Sequence, residues 1–464
     1  MDSKVYYMDA RSSSPQTSLV AKMVAVFEAA GFEKLIKPGD VVAIKLHCGE
    51  WNNTAYLRPV YARTLVDKVK SLGGRPFVCD TVTLPYGLNS SRSTELDFLV
   101  TAERNGYSSA TLGCPFICAD GFMGTDDYLV DLPEGFLLKE AYVAEAIAAA
   151  DVLITLTHFK GHGTGVIGGA IKNLGIGAQS RRGKFSVHMG GHPKYGFGAG
   201  AFHPEKFKGR KNDKNWKELE ECCPFDLIHV VGDTIKFESD KCTNCMACGG
   251  AMIGRGIVDL FEENFQATDA AIADACLATV KAVGRGKVAF INLAIDIASL
   301  CDCTPFADVA ILPDLGVFAS FDPVAIDKAC VDKARETMGI HGTKAEEKNA
   351  LECGSRKFAA CSAGMPGLSE EIQLNVGEMI GLGSRSYQLI PVAEKTTQEV
   401  AFPPDPRPAG VRFQHLYAKL HPYPYERYEG KGFKREDEVD LKKVNTYYEP
   451  SEKLVKGKPA RKKK

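Results

Sequence analysis

Short apolar runs alternate with segments of helical periodicity along the chain, and this alternation restricts the fold more than any other feature. Residues 41–46 and 151–157 have the pattern of buried strands, and helical periodicity covers 18–32 and 56–72. Consecutive parallel strands need long crossovers, which are usually helices. We therefore expect an α/β fold in which a mostly parallel sheet is covered by helices on both faces.

The same alternation continues downstream. Further strands are predicted at 76–80, 227–231 and 288–293, and further helices at 141–150 and 267–283. An apolar stretch at 309–319 leads into a helix after Pro323, and Asp322 before it is expected to be the N-cap, with a general base as the alternative. The α/β pattern therefore extends over most of the chain.

Charge and composition exclude several classes of protein. The 464 residues carry 57 Lys and Arg against 58 Asp and Glu, so the chain as a whole lacks the basic signature of a nucleic-acid binder. No apolar stretch reaches the eighteen residues of a membrane span, and the N-terminal residues do not resemble a signal peptide. We expect a cytoplasmic protein. Its 15 cysteines then predict metal ligands rather than a disulfide framework.

One cysteine run is typical of an iron–sulfur site. Cys242, Cys245 and Cys248 form a C-x2-C-x2-C pattern, which brings three thiolates to one face of a cubane cluster in bacterial ferredoxins. The fourth cysteine of such a run is replaced by Met252. Either one iron is left open or a remote cysteine completes the site, and Cys303 or Cys301 is the expected candidate.

A structural zinc site is the alternative for these cysteines. It would use Cys242, Cys245, Cys248 and Cys303 as its four ligands. The triple run favours a 4Fe-4S cluster, because zinc sites usually present paired C-x2-C hooks. Six other cysteines are expected to be buried apolar residues, namely Cys222, Cys223, Cys276, Cys330, Cys353 and Cys361.

Cationic and imidazole side chains gather near the ends of two predicted strands. Because a buried lysine is costly unless it is paired, this pattern favours an anionic ligand or internal ion pairs. Thirteen glycines between 161 and 200 are expected to add backbone N–H donors, although no Walker A loop or dinucleotide fingerprint is present. The alternative is that the glycines only permit tight packing and that the histidines are polar residues with partners inside the protein. The candidate ligand-binding residues are Lys45, His47, His158, Lys160, His162, Lys172 and Asn173.

Several segments of the chain carry a resemblance to a known family. The most specific are Cys301-Asp302-Cys303 and the Asp-Pro-Val-Ala-Ile-Asp sequence of 322–327, supported by 43–50 and 158–175. Together with the cysteine run at 242–248, they resemble the iron–sulfur proteins of the domain-of-unknown-function family numbered 362, over roughly residues 1–335. The resemblance implies a 4Fe-4S protein in a redox setting. Its members commonly have four-cysteine motifs ending in Cys-Pro, from which this chain departs.

We expect three parts along the chain. Residues 1–225 form an α/β domain with a Gly/His-rich loop region at 158–203, and 226–395 form an iron–sulfur-bearing α/β part packed on it. Residues 396–464 form an extended arm rich in proline and tyrosine, in which 401–464 hold sixteen Lys and Arg against nine Asp and Glu. The arm is a candidate surface for homo-oligomerisation.

The expected function is electron transfer or redox chemistry by a 4Fe-4S protein, on an anionic ligand held near the strand ends. A redox partner protein or subunit is expected, and nucleic acid is not. Two alternatives stay open. A cluster with an open iron can act as a Lewis acid in a dehydratase or isomerase, and a non-catalytic accessory subunit could use the arm to join a larger redox complex. The catalytic residues cannot be named from the sequence.

Overall fold

The computed structural model describes residues 3–85, 90–197, 201–396, 400, 404–420, 436 and 438–444. The chain forms two compact units, Met1–Val400 and Ala401–Lys464. Most of the predicted arm lies outside the described residues, and the described part of it contains two helices. None of the helices in the described ranges is both long and apolar enough to cross a membrane.

The strands and helices of the described residues are numbered along the chain. The strands are β1 (Ser3–Met8), β2 (Val41–Lys45), β3 (Arg75–Asp80), β4 (Phe116–Cys118), β5 (Asp127–Asp131), β6 (Glu140–Ala144), β7 (Val152–His158), β8 (Lys160–His162), β9 (Val166–Gly168), β10 (Ile228–Val231), β11 (Thr234–Phe237), β12 (Val288–Ala294), β13 (Gly316–Ser320) and β14 (Tyr387–Pro391). The helices are α1 (Leu19–Ala29), α2 (Pro59–Ser71), α3 (Glu95–Arg104), α4 (Ser109–Leu112), α5 (Glu145–Ala148), α6 (Ala170–Gly175), α7 (Arg181–Val187), α8 (Lys217–Glu221), α9 (Glu262–Val283), α10 (Pro323–Glu336), α11 (Lys344–Glu347), α12 (Lys357–Cys361), α13 (Glu371–Met379), α14 (Ala409–Leu420) and α15 (Leu441–Val444).

Eight described strands form the main sheet, in the order β14-β1-β13-β12-β7-β2-β3-β4. All but β13 run in one direction. The predicted α/β class with a mostly parallel sheet is therefore confirmed. Strands from the predicted parts 1–225 and 226–395 lie side by side in this sheet, with β12 paired to β7.

Apolar side chains of the central strands alternate between the two faces of the sheet. Val42 and Ile44 of β2 belong to a core cluster with residues of α1, α2 and α3, whereas Ala43 belongs to a second cluster with residues of α6, α9, α10 and α13. Helices thus cover both faces, because every central strand has an apolar side chain to bury in each direction. A third, smaller apolar cluster surrounds the hairpin β10–β11 and helix α8.

The predicted helix at 141–150 is only half correct. Residues Glu140–Ala144 form strand β6, which pairs with β5, and the short helix α5 follows at Glu145–Ala148. Ala141 and Val143 point into the core from alternate positions of the strand. The alanine-rich composition favours a helix locally, and the hairpin partner overrides that preference.

Helix α6 depends on one buried carboxylate. Asp327 of α10 accepts the N–H groups of Ala170 and Ile171 at 2.7 and 2.9 Å, and the amide of Asn292 at 2.7 Å. The Gly-rich turn before α6 was expected to offer N–H donors to a ligand. These two donors are instead satisfied by the protein itself, since a carboxylate at a helix N-terminus is favourable.

We expect Asp327→Ala to lower the free energy of unfolding by about 2–4 kcal/mol, because three buried donors lose their acceptor. Urea denaturation followed by circular dichroism measures this loss. Asp308→Ala is the matched control, since Asp308 is exposed and accepts only the N–H of Val309. Equal stability of the two variants would contradict this role of Asp327.

Candidate functional site

A cavity of 410 Å³ lies where three parallel strands end. Lys45, Asp80 and His158 are the last residues of β2, β3 and β7, and all three line it. Ligands of open α/β sheets usually bind outside the carboxyl ends of the strands. The position of the cavity therefore follows from the common direction of these parallel strands.

The seven ligand-binding residues predicted from the sequence all line this cavity. Lys45 comes from β2, His47 from the loop after it, and Asn173 from α6. The other four come from β7, β8 and α6, and they are His158, Lys160, His162 and Lys172. The structure thus brings the whole set together, although its members have different roles.

Four buried cations of the cavity wall each have a carboxylate close by. Such pairing is needed because an isolated charge in a buried site is costly. The pairs are Lys45–Asp80 (3.0 Å), Arg92–Glu50 (3.2 Å), Lys160–Asp302 (3.0 Å) and Lys184–Asp120 (3.8 Å). These side chains neutralise one another and define the polar wall.

Lys172 is the exception. No ion pair or side-chain hydrogen bond joins its amine to any residue in the described ranges. The pKa of Lys172 is lowered to about 7, first by burial and then by the positive charge of Lys160, which outweighs the opposing effect of Asp302. Near neutral pH this amine therefore exchanges its proton readily, and it is free to meet a ligand.

His47 and His162 are neutral hydrogen-bond donors. The Nδ1 atom of His47 accepts the N–H of Gly49, and that of His162 accepts the N–H of Gly165, both at 2.9 Å. Burial and the surrounding cations hold the pKa of both imidazoles well below the usual value. With Nδ1 occupied as an acceptor, the single proton of each ring lies on Nε2.

His158 is held by the protein on both sides of its ring. Its Nδ1 lies 2.9 Å from Asp302, and its Nε2 lies 2.7 Å from the carbonyl of Ile295. Both partners are acceptors, so both nitrogens must donate. Burial by itself would raise the pKa of Asp302, but His158 and Lys160 hold it well below its usual range. His158 and Lys160 thus fix Asp302 rather than face a ligand freely.

Asn173 orients Lys45. Its carbonyl oxygen accepts the Lys45 amine at 3.0 Å, while its amide donates to the hydroxyl of Thr157 at 3.0 Å. The side chain of Asn173 is therefore committed to the wall of the cavity.

Cys301 and Cys303 are bonded to each other as a disulfide and line the same cavity. Their sulfurs and one ring nitrogen of His162 lie within 4.8 Å of one another, the one such set in the described part of the chain, and they could hold a metal ion once the disulfide is reduced. The segment between the cysteines is fixed by Asp302, whose backbone carbonyl accepts the N–H of Glu50 at 2.8 Å.

The cysteines of the C-x2-C-x2-C run lie at a second pocket, away from Cys301 and Cys303. Cys242, Cys245 and Cys248 line it together with Cys223, and its other walls are mainly apolar. We call it the thiol pocket. The expected fourth ligands Cys303 and Cys301 are not brought to it. Cys223, which the sequence analysis assigned to the core, is the fourth cysteine that lines this pocket, and Pro224 follows it.

Backbone N–H groups point at the sulfurs of the thiol pocket. Asn244 donates to the Sγ of Cys242 at 3.4 Å, and Leu227 donates to the Sγ of Cys223 at 3.5 Å. Asn244 and Met246 have φ angles of 51° and 65°, the left-handed conformation that turns the loop between the cysteines. Such donors tune metal-bound thiolates.

The thiol pocket and the cavity share a wall. Met246, between Cys245 and Cys248, lines both of them. The amide of Asn244 also donates to the backbone carbonyl of His188 at 2.9 Å, and His188 lines the cavity. Arg92, Lys184 and His188 were missed from the sequence, because no motif marks residues that only the tertiary fold brings to the strand ends.

The fold and the two sites define an α/β protein with a cationic cavity at its strand ends and a neighbouring thiol pocket. The family model described as "Domain of unknown function (DUF362)" matches residues 42–332, and the chain belongs to this family. No curated protein matches the chain. Among solved structures, the lactate racemase apoprotein from Thermoanaerobacterium thermosaccharolyticum is similar with a TM-score of 0.33 and 11% identity, covering 86% of this chain and 85% of that one.

We expect Asp302→Asn to cost about 3–5 kcal/mol of stability at pH 7, because it leaves the buried His158 and Lys160 without their carboxylate. The pKa of Asp302 is depressed in the folded chain. Asp302 therefore contributes its full stabilisation when the pH is above the pKa of this carboxyl in the unfolded chain, about 4. This stabilisation declines as the pH falls below that value. Urea midpoints of wild type and variant should differ widely at pH 7 and converge below pH 4. A difference that does not change with pH would contradict this account, and Asp308→Asn serves as the control.

Proposed function

We propose that this protein is a 4Fe-4S protein that carries out electron transfer or redox chemistry on a small anionic ligand bound in the cavity. The observation that carries the proposal is the shared wall at Met246, which sets the thiol pocket directly beside the cavity. An electron donor and its acceptor need such proximity.

The sulfurs of the thiol pocket are spread too widely for a single tetrahedral ion. A tetrahedral zinc ion holds its thiolates at about 2.3 Å, so their sulfurs lie roughly 4 Å apart. Within the described residues, no three ligand atoms of this pocket lie within 4.8 Å of one another. A cubane core, which spreads its thiolates over separate irons, suits this wider arrangement. Cys242, Cys245 and Cys248 would hold it, and when bound it supplies one-electron transfer.

The cavity residues supply the binding chemistry for an anion. The unpaired amine of Lys172 offers a positive charge, and the Nε2–H groups of His47 and His162 offer neutral donors. The four ion pairs around them keep the wall in place without competing for the ligand. A carboxylate or another oxyanion matches this set of donors.

Proton transfer by Lys172 supports a second candidate function. An amine with a pKa of about 7 can accept or release a proton at neutral pH, and neutral imidazoles can polarise a carbonyl group. These groups would also serve a dehydratase or isomerase. Redox chemistry predicts that an added carboxylate is oxidised or reduced with a matching change in the cluster's redox state, whereas the second function converts it with no net electron transfer.

We expect the chain, isolated or reconstituted without oxygen, to contain about four iron and four sulfide per chain, the stoichiometry of one cubane cluster. Absorption spectroscopy and iron and sulfide analysis measure this. Cys245→Ser should lose most of both, while Cys353→Ser, which changes an exposed cysteine, should keep them. Colourless protein containing one zinc would overturn the proposed cluster.

We expect sulfate to bind in the cavity about tenfold more weakly at pH 8 than at pH 6, because Lys172 loses its charge above pH 7. Sulfate is the probe because its own charge is constant over this range. Calorimetry should show that Lys172→Met binds weakly at both pH values and that Lys172→Arg binds without this pH dependence. Lys206→Met changes an exposed lysine and is the control. Wild-type affinity that is equal at both pH values would contradict the assignment.

A further inference from the structure

We propose that Cys223 is the fourth cysteine ligand of the 4Fe-4S cluster. This inference rests on the proposed function and adds the ligand that the C-x2-C-x2-C run lacks. It also determines the type of cluster, because four cysteines leave no iron of a cubane open.

The first argument is position. Cys223 lines the thiol pocket together with Cys242, Cys245 and Cys248. It lies in the turn between α8 and β10, so it approaches the pocket from a different segment than the loop that carries the other three. Its side chain is partly buried, as are those of Cys242 and Cys248.

The second argument is the local conformation of the turn. The backbone carbonyl of Cys223 accepts the N–H of Asp226 at 3.2 Å, and its Sγ accepts the N–H of Leu227 at 3.5 Å. Asp226 is left-handed, with φ 52°. The sulfur of Cys223 is therefore an acceptor of a backbone N–H, as the sulfur of Cys242 is.

The third argument is the residue that follows. Ferredoxin runs of the form C-x2-C-x2-C-x3-C-P use the Cys-Pro cysteine as a ligand to a cluster whose other three cysteines come from a distant run. Cys223-Pro224 is a Cys-Pro dipeptide in this chain, and it precedes the run instead of ending it. Proline has no N–H and a fixed φ, so it holds the cysteine at a turn without leaving a donor unsatisfied.

The competing cysteines do not line the thiol pocket. The thiol of Cys222 lies 3.2 Å from the carbonyl of Leu219, back along α8, and Cys222 does not line the thiol pocket. Cys301 and Cys303 are bonded to each other at the cavity. Cys222 is adjacent to Cys223 in sequence but does not line the thiol pocket, which makes it the matched control.

The consequence is a cluster suited to electron transfer. A Lewis-acid cluster needs an iron that can bind substrate oxygen. With Cys223 bound, each of the four irons has its own thiolate, and the ligand in the cavity can meet the protein groups of the wall without coordinating iron.

The test uses the full chain, reconstituted without oxygen with ferrous iron and sulfide, as wild type, Cys223→Ser, Cys222→Ser and Cys303→Ser. Iron and sulfide contents and the EPR spectra of oxidised and reduced samples are measured. We expect Cys223→Ser to lose at least a quarter of its iron and to show an altered or absent EPR signal of the reduced cluster. Cys222→Ser and Cys303→Ser should retain the wild-type iron content and signal.

A full wild-type signal in Cys223→Ser, or its loss in Cys303→Ser instead, would overturn the assignment while leaving the proposed cluster intact. Wild type without iron and sulfide would overturn the cluster itself. Alkylation of the reconstituted wild type followed by mass spectrometry tests the assignment independently of how the variants fold. Cys223 should be protected along with Cys242, Cys245 and Cys248, while the exposed Cys353 should react. Ready alkylation of Cys223 in the cluster-loaded protein would refute it.

Discussion

Positive charge on buried side chains around the cavity is the constraint around which this structure is organised. Cations on the ends of neighbouring strands repel one another strongly at such distances, and the chain offsets that repulsion with a carboxylate for each of four of them. The pairs cross between elements, as Lys160 and Asp302 do. The same ion pairs therefore neutralise the cavity and hold its wall together. The amine of Lys172 takes part in none of these pairs.

The fold and the cavity could be predicted from the sequence largely because both follow from periodicity. Buried runs between helices predict parallel strands, and parallel strands end at one edge, so Lys45 and His158 had to lie near each other. The role of each residue could not be predicted. Whether His158 faces a ligand or Asp302 depends on rotamers and partners that are far away in the sequence, and the same holds for Asp327 at the start of α6.

The thiol pocket shows a different limit of sequence reasoning. Spacing identified the three cysteines of one loop, because such spacing is local. The prediction of a fourth ligand at 301 or 303 depended on strand ends alone, and it gave no hint that Cys223, from the turn before β10, also lines the thiol pocket. The first half of the predicted helix at 141–150 failed for the same reason, since a hairpin partner outside that segment decided the conformation of β6.

The near-neutral pKa of Lys172 has a consequence for how the cavity takes up its ligand. An anion that binds beside this amine stabilises the protonated form, so part of a proton is drawn from solvent with each ligand. Uptake and release of the ligand then depend on pH. The net charge that enters the cavity is smaller than the charge of the anion, because part of a proton enters with it.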